Sequence, residues 1–115
     1  MSVNEPVLVG TLVANQVPGP LITGVVAALN EDFTHSKAVA ALMEQVMVNP
    51  TETDLVNSLM LQIKEVPTLP PGLLALFDWV QTPAVTPVQF EEVLNAVEVA
   101  IVDNEHWWTR IDPLA

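Results

Sequence analysis

The side chains able to do chemistry are few in this chain. Two histidines, His35 and His106, stand 71 positions apart, each close to carboxylates: Glu31 and Asp32 near the first, Asp103 and Glu105 near the second. Two imidazoles and a carboxylate make a ligand set for a divalent metal when they converge in space. Neither histidine belongs to an HExxH-type helical pair, so both read as surface histidines near helix ends. The adjacent carboxylates at 31 and 32, or at 91 and 92, would project about 100° apart on a helix and could not share a proton as a catalytic dyad does.

Other equipment is missing. The chain has no cysteine and no tyrosine, which removes thiolate nucleophiles, disulfides and Cys-ligated metal sites. The four glycines, at 10, 19, 24 and 72, form neither a dinucleotide fingerprint nor a phosphate loop. Lys37, Lys64 and Arg110 are the only lysines and arginine, too few to stabilise a transferring phosphoryl group or to form a patch that displaces counterions from DNA or RNA. The expectation is a protein that is not an enzyme, with no cofactor, no metal and no direct nucleic-acid binding.

What remains is a cluster suited to recognition. The stretch "EHWWTRIDPLA", residues 105 to 115, brings together Trp107, Trp108 and the sole arginine, Arg110. Tryptophan and arginine are enriched at the energetic centres of protein interfaces. If the preceding helix continues through them, the two indoles project about 100° apart, so one can pack inward while the other faces something else. Just upstream, "VAIV" at 99 to 102 is apolar on every side, as in a turn covered by more than one neighbour. Ile101, Val102, Trp107, Trp108 and Arg110 are therefore the candidate interaction residues.

The composition fits that reading. At 115 residues the chain is one domain, 1 to 115, ending in the Trp-bearing tail. Half of the residues are hydrophobic and 15% are charged, against about 25% charged in ordinary soluble domains. A single small domain hides only about 60 to 70% of the surface its chain exposes, so some apolar surface stays outside. The net charge of −11 comes from 14 acidic residues opposed by three strong bases; it keeps an apolar protein soluble and steers it toward basic partners.

Ten prolines set the organisation, because proline ends helices and is tolerated in their first turn. Asn4 can cap a helix with Pro6 in its first turn that runs to about Val17. Val7, Val9 and Val13 also suit a strand, and "LITGVV" from 21 could pair with it as a hairpin around "PGP", so the first 26 residues stand between helix and β-hairpin. Residues 7 to 29 carry no charge and are long enough to span a bilayer, roughly 20 residues sufficing. Asn15, Gln16 and Pro18-Gly19-Pro20 interrupt their middle and no basic residue flanks them, so two short buried elements are expected and no membrane span. No basic stretch precedes the first apolar run, which argues against a secretory signal.

Residues 36 to 48 place Val39, Leu42, Met43, Val46 and Met47 on one helical face. "TETD" offers Thr51 and Asp54 as a capping box for the next helix, whose stripe is Leu55, Leu59 and Ile63 with Val56 and Met60 beside it. "VPTLPPG" is a stiff link to a short helix from Leu73 to about Gln81. Thr86, before Pro87 and three before Gln89, starts the last helix with a second capping box, running to about Asn104 or further with Phe90, Val93, Leu94 and Val97 inward. The fold class expected is all-α, a compact bundle of about five helices with proline-bounded links.

The triplet "NSL" at 57 to 59 is similar to the Asp-Ser-Leu of acyl carrier proteins, small acidic helical bundles whose modified serine opens a helix. Here Ser58 falls inside a helix begun earlier and position 57 is Asn, so the family's chemistry is not carried over. The function expected is a non-enzymatic protein–protein interaction or assembly protein that self-associates, of a character suited to a phage or viral structural component. An acidic inhibitor docking on the basic site of a nucleic-acid-binding protein is the alternative. Either is expected to be soluble, in the cytoplasm or associated with a virion rather than secreted.

Overall fold

A computed structural model describes the backbone of residues 5–30 and 33–111, and the side chains of residues 6–30 and 33–103. Six helices follow one another in this span: α1 (Glu5–Ala14), α2 (Gly19–Asn30), α3 (Ser36–Val48), α4 (Thr53–Lys64), α5 (Pro71–Val80) and α6 (Pro87–Ile111). No strand occurs among the described residues, so the all-α class holds. Six helices stand where about five were expected, and residues 5–30 hold two of them in place of a hairpin.

The local reason is a helix stop that takes over the turn. The Val17 amide donates to the Leu12 carbonyl at 3.0 Å and the Gln16 amide to that of Val13 at 3.0 Å, while Gln16 takes φ 63°. This is the pair of bonds that closes an α-helix through a left-handed residue. Val17 and Leu12, the two residues such a motif presses together, are both buried, at 5% and 0% exposure. Pro18 follows and cannot continue α1, but its carbonyl accepts from the amides of Leu21 and Ile22 and so begins α2. The chain passes from α1 to α2 within four residues. Asn4, the expected cap of α1, lies outside the described residues; Pro6 is in the first turn as expected.

The other boundaries follow the prolines with one exception. Thr51 and Asp54 do not form a capping box: α4 starts at Thr53 with Glu52 at its N-cap and no side-chain cap bond. The Glu52 amide donates to the Asn49 carbonyl, so Thr51 is used up in the turn that leaves α3. The second capping box does form. The Thr86 hydroxyl accepts from the Gln89 amide at 3.1 Å, and Gln89 Oε1 accepts from the Thr86 amide at 2.9 Å. α5 opens on Pro70-Pro71, proline being compatible with a first helical turn.

Every helix contributes to one core, in which Phe77, Leu12, Met43, Met60, Ile63, Leu73, Leu76 and Leu94 are fully buried. α6 is the central element, packing against α1, α2, α3 and α5, with α4 seated on α3 and α5. The expected faces are largely the buried ones: Val39, Met43 and Val46 of α3, and Val93, Leu94 and Val97 of α6. In α4 the face is rotated, burying Val56, Leu59, Met60 and Ile63 and leaving Leu55 at the rim, 42% exposed.

α2 and α5 approach closely through two glycines. A Cβ on Gly72 would stand 2.6 Å from the carbonyl carbon and 3.2 Å from the Cα of Gly24, both backbone atoms of the facing helix. Glycine is required at Gly72 by this approach. The Cα radius of gyration is 13.7 Å, against about 13.3 Å for a compact chain of this length. The long dimension of 45 Å reflects α6, whose 25 residues extend over roughly 37 Å.

Candidate functional site

His35 sits at the N-cap of α3 and is engaged in holding the fold. Its Nδ1 lies 3.1 Å from the Pro67 carbonyl oxygen and 3.1 Å from Thr68 Oγ1 in the link between α4 and α5. Thr68 has φ 71°, a left-handed conformation that is strained for a β-branched residue. An Nδ1–H donated to Pro67 therefore fastens a strained link to the start of α3, 32 positions away. Glu31, Asp32, Glu105 and His106 lie outside the residues whose side chains are described. Among the described residues no three His, Asp or Glu side chains gather so as to hold a metal ion. Ser58 is exposed within α4, the sixth residue of that helix.

The candidate interaction residues divide. Ile101 is 3% exposed and belongs to the core, and Val102 is partly buried against it. Neither offers a partner much surface. The side chains of Trp107, Trp108 and Arg110 lie outside those described; their backbone continues α6, which is helical to Ile111. Of the apolar turn at 99 to 102, three residues are covered by the chain itself while Val99 remains 44% exposed.

Val99 opens into a groove between α1 and α6 of about 670 Å³. Its walls come from two helices. On α6 they are Glu92, Asn95, Ala96, Val99, Ala100 and Asp103, recurring at three- and four-residue steps, one face of a helix; on α1 they include Val7, Gly10, Thr11 and Ala14, with Pro6 and Leu8 beside them. Small residues on both sides keep the groove open, and a Cβ on Gly10 would meet nothing within 4 Å. Val7, at its edge, is 62% exposed.

The end of the groove beside the α1 stop is rigidly tied. The buried Asn15 donates from Nδ2 to the Thr11 carbonyl at 2.9 Å, and its own carbonyl accepts from Gln89 Nε2 at 3.1 Å. Gln89 thus caps α6 with one end of its amide and clamps α1 with the other. Along the opposite side of α6, Glu98 is half-buried against α3. Burial, followed by the nearby charges of Glu44 and Asp103, raises its carboxyl pKa above the ordinary carboxylate range. Lys64 bridges Asp78 at 3.0 Å on α5, and no lysine lines the groove.

Sequence reasoning found the apolar turn of α6 but missed the groove. α1 is apolar nearly all round, so no periodicity marks which of its faces meets α6. The one available signal was "VAIV" itself, whose apolar character on every side calls for cover from more than one neighbour. No helix of the described residues is long and apolar enough to cross a membrane. No family model, no curated protein and no solved structure matches this chain.

Proposed function

We propose that this is a non-enzymatic protein–protein interaction protein that self-associates, with the α1/α6 groove as its docking surface. The observation that carries the reading is an apolar groove that no described residue covers: Val7 and Val99 are exposed beside a channel floored by small residues and bordered by Glu92 and Asp103. Exposed concave apolar surface of this kind marks interaction sites in soluble proteins. Its helical walls suit a helix laid lengthwise, the mode in which grooves between helices bind partner helices.

Light scattering of the purified chain over a range of concentration, at low and high salt, tests this. The expected result is an oligomer that persists or strengthens as salt rises, since salt screens repulsion between −11 bodies and favours apolar burial. A monomer at every concentration would refute self-association. One observation favours a second reading, the acidic inhibitor: Glu44, Glu98 and Asp103 lie close enough along α3 and α6 for two of them to raise the pKa of the third. Such a surface would dock on a basic partner and release it steeply as salt rises.

A further inference from the structure

One end of the bundle carries no charge. None of the 14 acidic residues falls within residues 6–30 or 79–90, and neither does a lysine or the arginine. The fold joins these two runs, because Gln89 in the first turn of α6 donates from Nε2 to the Asn15 carbonyl at the close of α1. The α1–α2 turn and the link that feeds α6 therefore share one end of the molecule. Most of that end is exposed, including Gln16 and residues 18–20, 81–84 and 86–88. Val88 is 64% exposed, and because helical side chains lean toward the helix N-terminus it points out of the end.

We infer that this end is an interface with a second copy of the chain, the two uncharged ends meeting face to face about a two-fold axis. The inference rests on the self-association reading and gives it a surface apart from the groove.

Charge selects the occupant. Two bodies of net charge −11 repel each other, and like charges set opposite one another across an interface disfavour the pairing. An uncharged end placed against an acid-bearing face would strip water from carboxylates that the chain's three strong bases are too few to pair. Placed against its own counterpart it buries no charge on either side, the depletion that interface centres show. Glu91 and Glu92 are set back from Val88 by about 5 Å along α6, one turn. A surface that meets its own copy is the isologous contact of a two-fold pair.

Chain length keeps the end clear of residues outside the described ones. Residues 1–4 extend at most about 14 Å, whereas Gln16 stands about 16 Å along α1 from Glu5. Residues 31 and 32 follow α2 about 16 Å from its start, and the side chains from 104 onward begin about 24 Å along α6 from Val88. The bundle measures 26 by 22 Å across its long axis, which allows about 500 Å² per copy, or about 1,000 Å² in total, the small end of specific interfaces. A reversible dimer with a Kd on the order of micromolar is expected.

The full chain carrying Val88→Glu or Val88→Lys tests it, with Leu61→Glu as a control on α4, which does not touch α6 and where Leu61 is 57% exposed. Each variant is first checked for native helicity and cooperative melting. Dissociation constants are measured by sedimentation with one chain fluorescently labelled, for each variant alone and for Val88→Glu mixed with Val88→Lys. Each Val88 variant alone should associate at least ten-fold more weakly than wild type, and their mixture at least as tightly as wild type. Leu61→Glu, which adds the same charge elsewhere, should leave the Kd unchanged.

A Val88→Lys chain that associates alone as tightly as wild type overturns the inference, and so does a mixture no tighter than either variant. Association lost in Val99→Glu but kept in both Val88 variants overturns it while leaving the groove reading standing; a monomeric wild type overturns both. Should a Val88 variant not fold, Ala84→Glu and Ala84→Lys, in the exposed link of the same end, put the same question with the same outcomes.

Discussion

Replacing Gly72 by alanine adds one methyl group at the closest point between α2 and α5. The new Cβ would stand 2.6 Å from the Gly24 carbonyl carbon and 3.2 Å from its Cα. Because those are backbone atoms, no side-chain rotation relieves the clash, and the two helices must separate over Leu73, Leu76 and Phe77, all fully buried. Overpacking of this kind costs about 1 to 3 kcal/mol, and an unyielding partner places Gly72→Ala near the upper end. Alanine in place of glycine within a helix returns about 1 kcal/mol. The net expectation is a loss of about 2 kcal/mol, or roughly 6 to 12 °C in Tm for a domain of this size. Thermal and urea unfolding followed by far-UV circular dichroism, at one dilute concentration, measures it. Gly24→Ala is the internal contrast: its Cβ would meet only the Gly72 Cα, at 3.4 Å, so propensity and contact nearly cancel and stability should change by less than about 1 kcal/mol. A Gly72→Ala protein as stable as wild type would refute the close approach of α2 and α5, and with it the arrangement of the core.

Three further outcomes are expected. Gln89→Ala removes the acceptor of the Thr86 amide and the clamp on the Asn15 carbonyl and should cost about 1.5 to 2 kcal/mol, against about 1 kcal/mol for Thr86→Ala, which removes only the acceptor of the Gln89 amide; a loss for Gln89→Ala no larger than that for Thr86→Ala in urea unfolding would show that the clamp contributes nothing. Glu98→Gln should raise Tm at pH 7. The folded pKa of Glu98 lies above its ordinary value of 4.5, so the folded state binds more protons between the two values and stability falls as pH rises through that window. The advantage of the glutamine is therefore full above the raised pKa and vanishes below about pH 4, and a Tm difference unchanged from pH 4 to pH 7 would show that Glu98 is not strained by burial and its acidic neighbours. Lys64→Ala removes an ion pair whose aspartate is 63% exposed; the loss should stay under about 1 kcal/mol, and a larger one in the same assay would mean that the lysine stem packs between α4 and α5.

How much of this was legible in the sequence follows from the range of the forces involved. Proline acts on its own residue and its neighbours, so the segmentation and the start of α6 could be read directly, while α5 begins at Pro71, two residues before the expected Leu73. The Thr86–Gln89 capping box, closed within four residues, was equally local. Thr51 and Asp54 have the same pattern and fail, because Thr51 lies inside the turn that the Glu52 amide closes on Asn49, and α4 begins only at Thr53. A cap motif read alone cannot see that the preceding link is too short to free it. At the N-terminus the alternation of Val7, Val9 and Val13 is compatible with a strand, and no periodic signal in so apolar a run opposes it. What decides for a helix is the closing pair of bonds at Gln16 and Val17, with Val17 buried beside Leu12.

Contacts between distant segments were not legible at all. Nothing in "TGVV" and "PPGL" says that their glycines meet, and nothing in "FTHS" says that His35 reaches the Pro67 carbonyl. The groove belongs with these, but it left a trace. An apolar turn such as 99 to 102 demands cover on every side, and the fold supplies it at Ala100, Ile101 and Val102 while leaving Val99 beside Val7 in the open. A monomer that buried all four would have satisfied the sequence and had no docking surface. That this one leaves Val99 open, while the same helix continues for two more turns toward two tryptophans and an arginine, is the ground on which the proposed self-association stands.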